Sequence, residues 1–324
     1  MRIVFCGTPD YAVPSLKALM QLAPLHQVVA VVSQPDRPKG RSRAPAPPPV
    51  VEAARNSGFA KESIFQPRSI NRPEIIAALR ELAPDVLCVV AYGNILKADA
   101  LALPRILPLN AHGSLLPKYR GAAPIQAALL SGDADTGVSM MKMELGLDSG
   151  PVLFRRSIPI LPLDDAGSIH DKLAELSAAC FVEAINQLGS GQFTLTPQVD
   201  SEATHVSKLD KRSGQIDWTR DAAYLERFVR AMNPWPGAWT TAAAPGVAPP
   251  IRLRIVRASV ETPASDSKSR QGEITMGEHA YIRVGCGSGA LSIREVQPEG
   301  KRAMSVAEFV RGAGRKLIPE STWQ

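Results

Sequence analysis

Four short runs in the N-terminal half, Arg2–Cys6, Val28–Ser33, Val86–Ala91 and Leu107–Ala111, are apolar at nearly every position and rich in β-branched residues. A strand buried on both faces reads as such a run, whereas a half-buried strand alternates. Between the runs, near Pro14–Ala23, Val50–Ser57 and Pro73–Leu82, apolar residues recur at helical spacing. Strand and helix in alternation predict a mostly parallel sheet covered on both faces, an α/β domain of Rossmann-like type. Helical spacing returns over Ile169–Leu188 and stops at Gly189-Ser190-Gly191.

Beyond that stop the pattern changes. Residues 190–207 are polar, mix Gly, Thr, Pro and Gln, and carry no period, which predicts an interdomain linker. A helix near Asp221–Met232 leads into the rigid turn Asn233-Pro234-Trp235-Pro236-Gly237-Ala238-Trp239. The short runs Ile251–Ala258, Gly272–Thr275, Ala280–Val284 and Ala290–Val296 then predict a small OB-like β-barrel. The expected domains are 1–189, a linker at 190–207, and 208–324.

At 324 residues with 45% apolar and 21% charged content, the chain has room for two globular domains. No apolar stretch approaches a membrane span, and Met1–Cys6 is too short for a signal core, so no membrane partner is expected. The four cysteines lie far apart with no C-x-x-C pair, which argues against a disulfide framework and a zinc site and fits a reducing cytoplasm. Gly7-Thr8-Pro9-Asp10 ends the first strand without the G-x-G-x-x-G spacing of a dinucleotide site. Charge is unevenly placed: residues 1–207 balance nineteen basic against nineteen acidic, whereas 208–324 hold eighteen against twelve. A basic C-terminal third suits a polyanion such as nucleic acid, or is an ordinary solvated surface.

The candidate chemistry centres on Asn110-Ala111-His112-Gly113-Ser114-Leu115-Leu116-Pro117. Two positions apart on a strand, Asn110 and His112 face the same side, at the strand end where sites in such sheets gather. An amide donor and an imidazole there suit acyl transfer without a metal. Asn110 either donates to a developing oxyanion or bonds its own turn. Asp148, in Gly146-Leu147-Asp148-Ser149-Gly150, is a turn aspartate unless it meets His112 in space. No second ligand at metal spacing accompanies His112, so no metal is expected. Arg37, Lys39, Arg41 and Arg43 place four cations within seven positions of a Pro/Gly loop, a phosphate-contacting loop or a solvated one. The turn Tyr119-Arg120-Gly121-Ala122-Ala123-Pro124 is expected to open a helix over Ile125–Leu130 beside the site.

These residues, together with Gln34-Pro35-Asp36-Arg37-Pro38, Val90-Ala91-Tyr92-Gly93, Arg120–Gln126 and Asn233-Pro234-Trp235-Pro236, closely resemble the methionyl-tRNA formyltransferase family over nearly the whole chain. The resemblance implies a 10-formyltetrahydrofolate donor and transfer of its formyl group to the α-amine of initiator methionyl-tRNA for translation initiation. It implies Asn110, His112 and Asp148 as the catalytic set. It implies a folate site at Ser114, Leu115, Leu116, Pro117, Val90, Tyr92 and Gly93, and tRNA contacts at Arg37, Lys39, Arg41 and Arg43. The chain departs from the family's pattern at Ala111, where a larger β-branched residue is common, and at 42–49, which are poorer in lysine. The Ser-Leu-Leu-Pro run and the Asn-His-Asp set specify the donor and not the acceptor, so an amino-sugar or ribonucleotide acceptor is a competing enzyme reading. A non-catalytic RNA-binding module is a third. A monomer is expected.

Overall fold

The four apolar runs, each largely buried, and the two-residue strand Ile64–Phe65 become the parallel strands of one sheet. In the computed structural model, which describes all residues except 39–43, 245–246, 262–269, 278–280, 313, 315–321 and 324, these strands are β1 (Arg2–Gly7), β2 (Gln27–Val32), β3 (Ile64–Phe65), β4 (Val86–Val90) and β5 (Leu107–His112). They pair in parallel in the order β3-β2-β1-β4-β5. β4 is buried at every position and β1 at all but its first. Helices α1 (Val13–Met20), α2 (Pro49–Asn56) and α3 (Pro73–Glu81) cover the sheet, each with a proline in its first turn, where no N–H is required.

Three strands of this sheet escaped the sequence pattern, the two-residue β3 and two longer ones. β6 (Asp135–Lys142) and β7 (Val152–Pro159) add antiparallel to the β5 edge. β6 begins polar and carries Gly137 and Ser139 among its buried positions, so no apolar run announces it. β7 is exposed on several residues, as an edge strand can be.

The chain divides into two compact units. The first comprises Met1–Pro124, Asp135–Pro159 and Ile169–Val206; the second comprises Ile125–Ala134, Ile160–Ser168 and Ser207–Gln324. The division is thus not the continuous cut expected at 189 and 208. The helix expected over Ile125–Leu130 forms as α4 (Pro124–Ser131), and most of it falls in the second unit, where Leu129 joins the apolar core. Helix α5 (Ala166–Ser190) extends the periodic stretch by a turn's worth of residues at its start.

Residues 196–206 also differ from expectation. They belong to the first unit and are hydrogen-bonded along much of their length. Thr196 forms a two-way backbone bridge with Val152, and His205–Val206 pairs in parallel with Arg120–Gly121. Polar composition without a period is what a loop looks like, whether it is free or strapped to a scaffold by its backbone.

In the second unit, α6 (Ala222–Met232) packs on an antiparallel sheet of β8 (Ala238–Ala244), β9 (Val247–Val260), β10 (Ile274–Gly277), β11 (Tyr281–Gly285) and β12 (Ala290–Pro298). The order is β10-β11-β12-β9-β8, ending on Thr322–Trp323. The Trp323 N–H donates to Gly272 O at 3.0 Å, tying that end back to the residues just before β10. This β-rich architecture is compatible with the expected OB-like barrel.

Candidate active site

β5 delivers Asn110 and His112 to its carboxyl end, next to the buried end of β4. Asn110 is half-buried, and its side-chain amide makes no hydrogen bond with any described residue. His112 is buried, with Nε2 2.9 Å from Tyr119 O. A carbonyl only accepts, so Nε2 carries the proton and the ring is held in one orientation. Nδ1 therefore faces the Asp148 carboxylate, whose Oδ2 lies 3.6 Å away. The structure thus brings together the aspartate and the imidazole that sequence separates by thirty-six positions.

The Asp148 loop is built to hold that carboxylate. The same Oδ2 accepts the Gly121 N–H at 2.8 Å. Asp148 adopts φ 49°, the left-handed region that a side chain enters at a cost of about 1–3 kcal/mol. Tyr119 (φ 60°) and Ala91 (φ 46°) do the same. Three of the four positive-φ non-glycine residues described therefore sit in the turns and loops that follow or join the strands of this site.

The Ser-Leu-Leu-Pro loop is clipped from beneath. Ser139 on β6 is fully buried; its Oγ donates to Ser114 O at 2.7 Å and accepts the Leu116 N–H at 2.9 Å. Ser114 Oγ in turn donates to Lys118 O at 2.6 Å. Leu116 packs with Met141 and Val152, while Leu115 and Pro117 remain partly exposed. Ser114 and Leu116 thus fix the loop's shape, and Leu115 and Pro117 present its accessible surface. Val90 is wholly buried and Tyr92 nearly so. The Tyr92 carbonyl accepts from Thr8 Oγ1 at 2.8 Å, joining the ends of β1 and β4 at the point where the sheet's winding reverses. Gly93 takes φ 81°, with Gln34 Nε2 4.0 Å from where a Cβ would stand. Burial pushes the Tyr11 hydroxyl up to about 12, against the opposing hydrogen bond to Ser177; this tyrosine lies under Gly113.

Of the cationic loop, Arg37 is exposed and bonds Gln34 Oε1 at 3.3 Å, while Lys39, Arg41 and Arg43 lie outside the described residues. In the second unit a cavity of about 200 Å³ is lined by Gly237, Trp239, Arg252, Arg254 and Gln297 among others. The Arg252 guanidinium stacks 3.8 Å over the Trp239 ring, and Arg254 Nη2 donates to Asn233 Oδ1 and Pro234 O. Among the described residues no cluster of His, Cys, Asp and Glu suits a metal ion, and no helix is long and apolar enough to cross a membrane.

Sequence reasoning missed Ser139, Thr204 and Gln198, and treated Arg120 and Gly121 as part of a turn beside the site. Their signal is spatial. Gln198 and Thr204 lie in the stretch read as linker, and Ser139 lies in a strand without alternation.

A family model described as formyl transferase matches residues 1–185, and one described as formyl transferase, C-terminal domain, matches 208–314. A relative from Methylococcus capsulatus, named methionyl-tRNA formyltransferase, is 45% identical over 320 residues, covering 98% of this chain and 99% of its own. One of the same name from Marinobacter nauticus is 41% identical over 319 residues, covering 98% of each chain. The crystal structure of HypX from Aquifex aeolicus in complex with tetrahydrofolic acid aligns at TM-score 0.60 and 19% identity over 96% of this chain and 48% of that one, a likeness of fold.

Proposed function

The chain belongs to the formyl transferase family, and from that premise we propose that it transfers the formyl group of 10-formyltetrahydrofolate to the α-amine of initiator methionyl-tRNA, in the cytoplasm. It is a formyl-transferring enzyme that draws on a folate-derived donor. The observation that supports the catalytic assignment is the contact of His112 with Asp148 at the end of the strand that carries Asn110, whose amide bonds no described residue. That donor fits a formyl oxygen, and the partly exposed Leu115 and Pro117 fit a flat ring system beside it.

As the amine attacks the formyl carbon, negative charge gathers on the formyl oxygen. Asn110 donates to it, an interaction worth roughly 10²–10³ in rate by analogy with other oxyanion donors. The amine must lose a proton and the departing folate nitrogen must gain one. Asp148 and the Nδ1 side of His112 form the pair across which that proton moves, while Tyr119 O keeps the ring from turning. The carbon–nitrogen bond to the folate then breaks as the carbonyl reforms.

Residues 1–189, together with the strap at 196–206, would act as the catalytic domain and 208–324 as a tRNA-binding domain. Full-length similarity to the tRNA enzymes supports this acceptor, as does the arginine and aromatic chemistry of the second unit. Arg37, Lys39, Arg41 and Arg43 would contact the tRNA from the catalytic domain.

Single-turnover formylation of methionyl-tRNA against small amines tests the reading. We expect turnover with the tRNA substrate, loss of it in His112→Ala and Asp148→Asn, and tRNA affinity that falls as salt rises. Near-wild-type rates in both folded variants would overturn the catalytic assignment. A preference for small amines would overturn the acceptor.

A further inference from the structure

Asp148 is poorly placed to hold itself. It sits in a loop between two glycines, in a left-handed backbone conformation, on a chain that must present one carboxylate oxygen to both His112 and Gly121. What restrains its backbone comes from elsewhere in the sequence. Gln198 Nε2 donates to Asp148 O and to Gly150 O, both at 2.8 Å, using its two N–H groups on the two carbonyls that bracket the loop's end. Its Oε1 accepts from Arg120 Nε at 3.1 Å. The amide has only one possible orientation here, since carbonyls accept and a guanidinium donates.

These bonds close a ring. Gln198 grips Asp148 through the main chain and Arg120 through the guanidinium. The next residue after Arg120 is Gly121, whose N–H holds the Asp148 carboxylate. Arg120 is itself buried and anchored, with Nη2 on Asp200 Oδ1 at 2.8 Å and its backbone N–H on Thr204 O at 2.8 Å. Thr204 Oγ1 also accepts the N–H of Tyr119, the residue whose carbonyl orients His112. One strap, residues 196–206, therefore touches the supports of both members of the His112–Asp148 pair.

We propose that Gln198 is a positioning residue for formyl transfer: through its paired hydrogen bonds it sets the Asp148 loop so that the carboxylate faces His112, making the strap an integral part of the active site. The proposal rests on the catalytic role assigned to Asp148 above. Displacing a reacting group by about 1 Å costs on the order of 10²-fold in rate.

Gln198→Glu isolates the effect. It keeps the volume and the contact with Arg120 but replaces both N–H donors with an oxygen facing two carbonyls. Steady-state formylation by the full-length protein should then show kcat lowered about 10²-fold with KM for both substrates unchanged, even where the two carbonyls left without donors lower the melting temperature. Gln198→Ala should lower kcat comparably even if it melts earlier. In the substrate-free protein, the His112 ring nitrogen resonances of Gln198→Glu should move toward those of Asp148→Asn. Wild-type kcat in Gln198→Glu, or His112 resonances that stay at their wild-type positions, overturns the proposal. So does a parallel loss in melting temperature and both KM values with kcat retained, the mark of a purely structural role. If the wild-type protein itself fails to formylate methionyl-tRNA, the acceptor reading falls, and the His112 resonances still decide the role of Gln198.

Discussion

Ser139→Ala removes one oxygen atom and tests how the donor loop is held. The side chain is fully buried on β6 and serves two backbone groups of the Ser-Leu-Leu-Pro loop, Ser114 O at 2.7 Å and the Leu116 N–H at 2.9 Å. The alanine variant leaves an acceptor and a donor buried with no replacement, since no other described hydroxyl bonds them. A buried group deprived of its partner costs about 1–3 kcal/mol, so the two together predict a destabilisation of roughly 2–6 kcal/mol. The assay is urea unfolding followed by far-UV circular dichroism. Tryptophan fluorescence is the wrong probe, because all four tryptophans, Trp218, Trp235, Trp239 and Trp323, belong to the second unit. Binding of a folate analogue, measured by calorimetry on the folded variant, should weaken by tenfold for each roughly 1.4 kcal/mol of the loss that falls on the loop's bound shape. A destabilisation below about 0.5 kcal/mol, the range of neutral surface changes, together with wild-type folate affinity, would refute the reasoning.

Gly121→Ala should be more damaging to catalysis than to folding, since Gly121 takes φ 119° and an added Cβ would collide with the carbonyl of Val206, forcing the strap off the Asp148 donor; wild-type kcat in this variant would contradict that geometry. Tyr11 is held protonated by burial up to about 12, from an ordinary value of 10. The folded state therefore keeps its proton where the unfolded chain has lost it, so this contribution is complete below pH 10 and is lost as pH rises toward 12. Tyr11→Phe should accordingly lose less stability than wild type across that window, by up to about 2.7 kcal/mol at two pH units, and parallel stability–pH curves would count against it. Asp221 caps α6 by accepting the Tyr224 N–H at 2.8 Å, so Asp221→Ala should destabilise the second unit by about 1 kcal/mol, read by tryptophan fluorescence. An unshifted urea midpoint would show the cap to be idle.

The parallel strands were legible because a strand buried on both faces must be apolar throughout, and β1, β2, β4 and β5 all came out within a residue or two of the runs that announced them. Asn110 and His112 were legible for a related reason: a two-residue step on a strand end fixes a shared face whatever the rest of the chain does. β6 and β7 were not, because Gly137 and Ser139 sit where an apolar run would be expected, and an edge strand tolerates polar positions. The strap at 196–206 was the larger omission. Its strength lies in backbone bonds and in Gln198 and Thr204 contacts to residues forty-eight to eighty-five positions away, and nothing in local composition records such partners.

The sequence alone therefore determined which residue types could polarise a carbonyl and move a proton, and on which strand end two of them would stand. Only the tertiary structure decided that they work as a set. Asp148 reaches His112 although β6 runs antiparallel to β5, with Ser139 opposite His112 and Lys142 opposite Leu109: the loop that follows β6 turns back and brings the carboxylate within 3.6 Å of the ring. The carboxylate stays there because a glycine N–H and a strap from beyond residue 190 hold it in a conformation its own backbone disfavours. Periodicity and propensity are properties of neighbours in the chain; the orientation of a carboxylate is set by whichever atoms close around it, and those arrive from four separate stretches of sequence.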